Sequence, residues 1–309
     1  LEVPRSELKA EGSQVIHLPS GQVRTFGQLA ALAHKQPVPD KETLVFKDRE
    51  DYRILGQSIS QVDSLEIVTG IGDYGIDTKV PNMLYGCYVK CPAVGGTLIS
   101  VNIDEIKQAR GIVDAWAIKG NGNVRELMDG VGIVGTDTWS VFKARQSLEI
   151  NWDKTKASKD SWQAFSAFAE AQGQTGDKVV VDEGNVDAAF ADPDHKVLSQ
   201  LYEYPYVSHL CLEPMNCTAD FRTDEDGRDH LELWLPTQSG PRVQDMAKSR
   251  YGLEKDQVSI HMKRMGGSFG RRTSQEYVIE AIELSKRAGR PVKLTWNRED
   301  SVRYDFLRE

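Results

Sequence analysis

The sequence predicts a mixed fold of short strands and helices, α+β in class, and three stretches predict it. Between 258 and 284 an alternating segment gives way to a glycine-rich run and then to a helical stripe. Between 231 and 252 a second short apolar strand runs into a polar loop and another helix. From about 56 to 155, short apolar runs alternate with turn residues and two brief helical patterns. Strands divided by turns, joined to strand–loop–helix units, describe sheets with helices packed against them.

Taken in order, Phe26 to His34 suits a short helix, and Pro37-Val38-Pro39-Asp40 enforces an extended linker because proline disfavours helix at and before itself. Residues 1–55 therefore read as a leader or linker. Leu84 to Lys90, Thr97 to Asn102, Ile112 to Ile118, Gly132 to Gly135 and Leu148 to Trp152 read as strands. Ile103 to Arg110, Trp139 to Ser147 and Trp162 to Gln172 read as helices, the last followed by a polar loop. No repeat or low-complexity tract is present.

The chemistry concentrates in Met265-Gly266-Gly267-Ser268-Phe269-Gly270-Arg271-Arg272. Val258, Ile260 and Met262 repeat with period two ahead of it, as in a half-buried strand. Thr273 and Glu276 have the spacing of a capping box, and Tyr277, Val278, Ala281, Ile282 and Leu284 form a helical stripe closed by Gly289 and Pro291. A glycine-rich loop between a strand end and a helix start lets a ligand approach the backbone, and free amides there favour an anion. Two arginines add forked donors suited to phosphate. The residues alone point to a phosphorylated cofactor; a tight turn with two solvated charges is the plainer alternative.

Leu231 to Leu235 leads into Pro236-Thr237-Gln238-Ser239-Gly240-Pro241, then a helix bearing Val243, Met246 and Ala247, with Gly252 at its end. Gln238 thus occupies a strand-to-helix loop like that of Phe269, where ligand sites gather in mixed domains. Its uncharged amide suits an oxo group or a substrate; capping its own loop is the simpler role.

Four segments in register now carry a resemblance: Leu212-Glu213-Pro214-Met215-Asn216-Cys217-Thr218-Ala219, Leu235-Pro236-Thr237-Gln238, Gly266 to Arg272, and Leu294 to Asp300. The chain resembles the molybdenum-binding subunit of the xanthine dehydrogenase/aldehyde oxidase family. The double arginine and Glu-Pro-Met-Asn are similar to the branch that holds the β-subunit of isoquinoline 1-oxidoreductase, together with large subunits of membrane-associated aldehyde dehydrogenases. The likeness extends through Tyr74-Gly75-Ile76-Asp77 to Val3-Pro4-Arg5-Ser6-Glu7-Leu8, nearly the whole chain.

The resemblance implies an α/β hammerhead domain over 56–155 and the N-terminal part of a molybdenum-cofactor-binding domain over 156–309. It implies a molybdenum hydroxylase that oxidises an aldehyde or N-heterocycle with water-derived oxygen. Gln238 would donate to an oxo ligand, and Gly266, Gly267, Ser268, Phe269 and Gly270 would approach the metal and pterin. Arg271 and Arg272 would face cofactor phosphates or hold the loop. The implied cofactor is molybdenum–molybdopterin in the cytosine dinucleotide form, with a 2Fe–2S centre only on an iron–sulfur small subunit. A cytochrome c subunit and a second chain completing the molybdenum domain are further implied partners, on the periplasmic side, with a cytoplasmic enzyme as the alternative. Ser268 departs from the branch's usual glycine, which puts the loop conformation in question. The family's catalytic glutamate lies beyond the residues present, so the chain is expected to be a fragment or a split subunit. A non-catalytic cofactor-binding or assembly segment is the rival expectation.

Composition bounds these readings. The 309 residues suffice for two domains, and 39% hydrophobic with 27% charged residues is globular. The net charge of −8 argues against nucleic acid as a partner, which needs a basic face. Cys87, Cys91, Cys211 and Cys217 lack Cys-x-x-Cys spacing and are expected as buried free thiols. Gly70-Ile71-Gly72-Asp73-Tyr74-Gly75 matches the dinucleotide fingerprint by letter after Leu65 to Val68, but the β-branched residues and Pro81 that follow oppose the helix it needs. Asn216-Cys217-Thr218 fits a glycosylation triplet in an apolar context, and His209 with Glu213 is expected as a structural pair rather than a metal site.

Overall fold

The computed structural model describes residues 3–172, 176 and 178–308. The chain forms two compact units, Leu1–Leu65 and Glu66–Glu309. In the first, β1 (Leu8–Glu11), β2 (Gln14–His17) and β3 (Val23–Thr25) make an antiparallel sheet in the order 1-2-3, followed by α1 (Phe26–Ala33). A capping box starts α1: Gln28 N donates to Thr25 Oγ1 at 3.2 Å, and Thr25 N donates to Gln28 Oε1 at 2.9 Å. The helix lies where the sequence predicts it, whereas the three strands were not expected. No residue of β1 to β3 is fully buried, and although Leu8-Lys9-Ala10-Glu11 alternates, strands of three or four residues are too short for periodicity to single out.

The chain passes through α2 (Ser64–Val68) into the second unit. Residues 65–68, ahead of the apparent dinucleotide fingerprint, are thus helical, and a 3-10 turn (Gly75–Asp77) ends it. The strand–turn–helix context that motif requires is absent on both sides. Next come β4 (Leu84–Lys90), β5 (Thr97–Val101), α3 (Ile103–Lys107), β6 (Ile112–Ile118), β7 (Gly130–Gly135), α4 (Thr138–Gln146) and β8 (Ile150–Asp153). Helices α5 (Trp162–Gln172) and α6 (Val186–Ala191) precede β9 (Asn216–Thr223), β10 (Asp229–Leu235), α7 (Gly240–Tyr251) and β11 (Val258–Met262). Helix α8 (Glu276–Ala288), β12 (Val292–Thr295) and α9 (Arg298–Arg303) complete the unit.

Seven strands form one sheet in the order β11-β10-β9-β12-β4-β7-β6, with β5 and β8 paired separately. Strands from both sides of residue 156 share this sheet, since β12 lies between β9 and β4. Both faces are covered. Cys87 and Tyr88 enter opposite hydrophobic clusters, as do Ile133 and Val134, which is the period-two consequence of a sheet packed on two sides. Helix α8 covers one face with Tyr277, Val278, Ala281, Ile282 and Leu284; Ile106 of α3 and Val141 and Ala144 of α4 cover the other. Gly132 permits the close approach of α8, because a Cβ there would lie 2.3 Å from Leu284 Cδ2. Strand β9 is buried on both faces over its first four residues, so it lacks the alternation that identifies half-exposed strands.

Parallel pairing sets the site. β10 and β11 run side by side in register from Leu231↔Val258 to Leu235↔Met262. Their C-terminal ends therefore release the Pro236–Ser239 loop and the 263–270 loop next to each other. Crevices at such strand ends are where ligands bind in sheets of this kind.

Candidate functional site

The two loops are joined through one carbonyl. Arg272 O accepts from Gln238 N at 3.1 Å and from Thr237 Oγ1 at 3.2 Å. Gln238 is exposed, and its side-chain amide makes no hydrogen bond among the described residues. Capping of its own loop falls to Thr237, whose Oγ1 accepts from Ser239 N at 3.2 Å. The Gln238 amide is left available.

The glycine loop is shaped by positive backbone angles at Gly267 (φ 99), Phe269 (φ 52) and Gly270 (φ 96). Left-handed backbone is ordinary for glycine and costly for an aromatic residue. Ser268 has no positive φ, so a serine is accommodated where the branch usually has glycine. The departure at 268 leaves the loop undisturbed; the strained position is its neighbour. Phe269 is 73% exposed, so its ring gains little from burial in this chain. Backbone strain held at an exposed residue without internal compensation marks a functional position.

Arg271 N donates to Ser268 O at 2.8 Å and Gly266 N to Glu213 Oε2 at 2.8 Å. The four amides between, those of Gly267, Ser268, Phe269 and Gly270, donate to no acceptor among the described residues. Alternation of ordinary and left-handed backbone turns successive N–H groups into a concavity for an electron-rich ligand.

The arginines are interior. Arg272, 0% exposed, donates from Nε to Gly267 O at 2.9 Å and from one terminal nitrogen to Glu213 O at 2.8 Å and Glu213 Oε2 at 3.0 Å. Arg271 pairs with Glu276 and, through Nε, with Asp305 Oδ1 at 3.0 Å. It also donates to Tyr304 O at 3.2 Å. Of the two roles expected for the pair, holding the loop is the one their contacts express. The capping box expected at Thr273 and Glu276 does not form: Thr273 Oγ1 donates to Gly270 O at 2.7 Å, and the Glu276 carboxylate is taken by Arg271. A 3-10 turn (Arg271–Thr273) intervenes, so α8 begins at Glu276 with Gln275 as its uncapped N-cap.

Glu213 is the hub beneath the loop. Its Oε1 accepts from Ile76 N at 2.9 Å and Asn216 Nδ2 at 2.8 Å, and its Oε2 from Gly266 N and Arg272. Gly266 is obligatory here, since a Cβ would lie 2.4 Å from Glu213 Cβ. Asn216 is fully buried and spends its amide on Glu213 and Pro214 O, so the glycosylation triplet is inaccessible. His209 is a structural pair, though with a different carboxylate from the one expected. Its Nδ1 lies 2.9 Å from Asp305 Oδ1, and its backbone N donates to Asp305 Oδ2 at 2.7 Å. Asp305 lies 96 residues downstream and no spacing rule reaches it. The four cysteines are free and buried, as expected; burial pushes the Cys87 thiol up to about 12.

This fold and this loop pair define a class. Residues 170–309 match the family described as the molybdopterin cofactor-binding domain, and the resemblance read from the four motifs is borne out. The chain is 26% identical over 346 residues to the beta subunit of isoquinoline 1-oxidoreductase from Brevundimonas diminuta, covering 99% of this chain and 43% of that protein. It is 28% identical over 302 residues to the membrane-bound aldehyde dehydrogenase (pyrroloquinoline-quinone) of Gluconacetobacter polyoxogenes, covering 93% and 37%. The chain thus spans less than half the length of these relatives. Among solved structures, quinoline 2-oxidoreductase from Pseudomonas putida 86 superposes with a TM-score of 0.60 at 17% identity, over 80% of this chain and 35% of that one. Aldehyde oxidoreductase from Desulfovibrio gigas superposes with a TM-score of 0.60 at 19% identity, over 91% and 34%. The fold is shared with these oxidoreductases.

Proposed function

We propose that this chain is the cofactor-facing part of a molybdenum hydroxylase acting on an aldehyde or an N-heteroaromatic compound. Within it, 56–155 would be the hammerhead domain and 156–309 the N-terminal part of the molybdenum-cofactor-binding domain. The observation that carries the reading is the run of four unpaired amides, Gly267 to Gly270, beside the unengaged Gln238 side chain. That donor set fits molybdenum–molybdopterin: uncharged N–H groups for electron-rich ligand atoms, on a loop too close to the backbone for side chains to intervene.

When bound, the cofactor in its cytosine dinucleotide form supplies oxygen transfer and accepts two electrons. This chain positions it. Gln238 would offer its Nε2–H to the bound group, and the amides of 267–270 would hold it without adding charge. The Phe269 ring lies against the loop, with Cε2 3.4 Å from where a Gly267 Cβ would sit. Glu213 has no free lone pair to act as a base, since both oxygens are committed to donors. The resemblance to the family would place the base on a glutamate outside these residues. A separate chain carrying a 2Fe–2S centre would take the electrons. That partner is supported by two relatives whose names make each of them one component of a larger enzyme, the isoquinoline 1-oxidoreductase above and a nicotinate dehydrogenase of Pseudomonas putida. The similarity to a membrane-bound dehydrogenase supports a membrane-associated enzyme; the periplasmic side and a cytochrome c partner are what the family resemblance implies.

The test is molybdenum content by inductively coupled plasma mass spectrometry on the natively purified protein, with intact mass of every co-purifying chain. Stoichiometric molybdenum in the wild type, lost or mis-ligated in Gln238→Ala, is expected. A complete complex without molybdenum would sink the reading and leave an assembly segment of this fold.

A further inference from the structure

Next to the glycine loop, away from Gln238, lies a cavity of about 160 Å³. That is roughly ten times the ~15 Å³ that a single water needs. Its walls include Arg125, His209, Gly270, Arg271, Ser274 and Arg308, and no carboxylate. Two buried side chains bring unspent nitrogen to it. His209, 4% exposed at its side chain, has Nδ1 fixed on Asp305, which turns Nε2 the other way, 3.9 Å from where a Gly270 Cβ would sit. That Nε2 has no partner among the described residues. Arg271, 2% exposed, has Nε and one terminal nitrogen engaged, and its other terminal nitrogen, Nη1, is likewise without a partner.

Buried polar atoms left unpaired cost about 1–3 kcal/mol each. Arg271 Nη1 is a donor in want of an acceptor, and His209 Nε2, whose ring spends its Nδ1–H on Asp305, is a lone-pair acceptor in want of a donor. A protonated oxyanion such as hydrogen phosphate offers both, an oxygen to the guanidinium and an O–H to the imidazole. The remaining walls favour such an anion. Arg125 and Arg308 form no ion pair among the described residues. With Arg271 they outnumber the two carboxylates behind the cavity, Glu276 and Asp305. Phe306 holds two of the guanidiniums in place, with Arg271 at 4.8 Å and Arg125 at 5.3 Å from its ring centroid. Ser274 adds a hydroxyl. Several converging N–H donors with excess positive charge match a tetrahedral oxyanion.

We propose that this cavity binds a phosphate-type oxyanion, held by His209 Nε2 and Arg271 with Arg125 and Arg308 closing over it. The site goes beyond the molybdenum reading: His209, Arg125 and Arg308 lie outside the loop pair assigned to the metal, and only Arg271 adjoins it. Two sources share the chemistry, a free inorganic oxyanion and a phosphoester of a bound cofactor.

The experiment is calorimetric titration of inorganic phosphate into the natively purified protein, loaded and cofactor-depleted, at ionic strength matched with chloride. Saturable one-to-one binding is expected, weakened about tenfold or more in Arg125→Gln/Arg308→Gln. The unfolding temperature of that variant in chloride should equal the wild type's. Binding to both loaded and depleted protein means a free anion; binding to the depleted protein alone means a phosphoester already fills the cavity. No saturable binding in either form, or equal binding by the variant, overturns the proposal. Molybdenum content is read separately, so failure here leaves that reading standing, and the reverse.

Discussion

Arg272 donates to the carboxylate and the carbonyl of Glu213 across 59 residues of chain, with the guanidinium wholly buried. A buried charge is stable only when paired and hydrogen-bonded, and each of these residues meets that need for the other. The carboxylate also takes N–H groups from the Ile76 turn and the glycine loop, so one ion pair locks three segments together.

Glu213→Gln should therefore destabilise the protein by about 3–5 kcal/mol, since it strands Arg272 without its counter-charge. Urea denaturation reads this as a lower midpoint with an unchanged slope. A shift under about 1 kcal/mol would mean that the pair contributes little and the loop is held by its backbone bonds.

Much of this region was legible in sequence because the local rules hold there. Val258, Ile260 and Met262 alternate, and Gly252 and Gly289 take the left-handed angles that end α7 and α8. The strands Leu84 to Lys90 and Ile112 to Ile118 fall as written. What escaped depends on contacts distant in sequence. Thr273 and Glu276 match a capping box by letter, but Arg271 takes the Glu276 carboxylate because its own guanidinium is buried. His209 finds Asp305 instead of Glu213, and β9 is written without alternation because both its faces are covered. The loop pair was legible as two loops; that Arg272 O joins them follows only from the parallel pairing of β10 and β11.

Phe269→Gly should separate stability from function. Removing an aromatic residue from φ 52 relieves about 1–2 kcal/mol of left-handed strain, offset in part by the added freedom of glycine in the unfolded chain. The unfolding midpoint should hold or rise while turnover falls. A clear loss of stability would show that the exposed ring packs against something in the complete protein.

Two positions in the loop should respond unequally. Gly266→Ala places a Cβ 2.4 Å from Glu213 Cβ, and backbone must shift to admit it. A cost of about 1–3 kcal/mol and poor cofactor loading are expected. Ser268→Gly restores the branch's usual residue at a position without positive φ, and should change stability by no more than about 1 kcal/mol. Melting curves with molybdenum content distinguish the two; equal effects would contradict the loop geometry.

Glu280 sets a pH dependence in the core. It is fully buried on α8, and burial pushes its carboxyl up from 4.5 to about 7 against the opposing pull of Lys90 and Trp296, with Glu276 raising it further. Lys90 Nζ stands 2.7 Å from Oε1, and Trp296 Nε1 donates to Oε2 at 2.7 Å. A carboxyl with a raised folded pKa holds its proton more tightly in the native state. Its contribution is therefore full below about 4.5 and is lost as pH rises through about 7. The size is on the order of 3 kcal/mol. Glu280→Gln cannot titrate, so whatever offset separates the two proteins at pH 5, wild type should lose ground to the variant by pH 8. Unfolding free energies of both across that range test it. Parallel curves would mean that Glu280 is ionised throughout, with the Lys90 pair strong enough to overcome its burial.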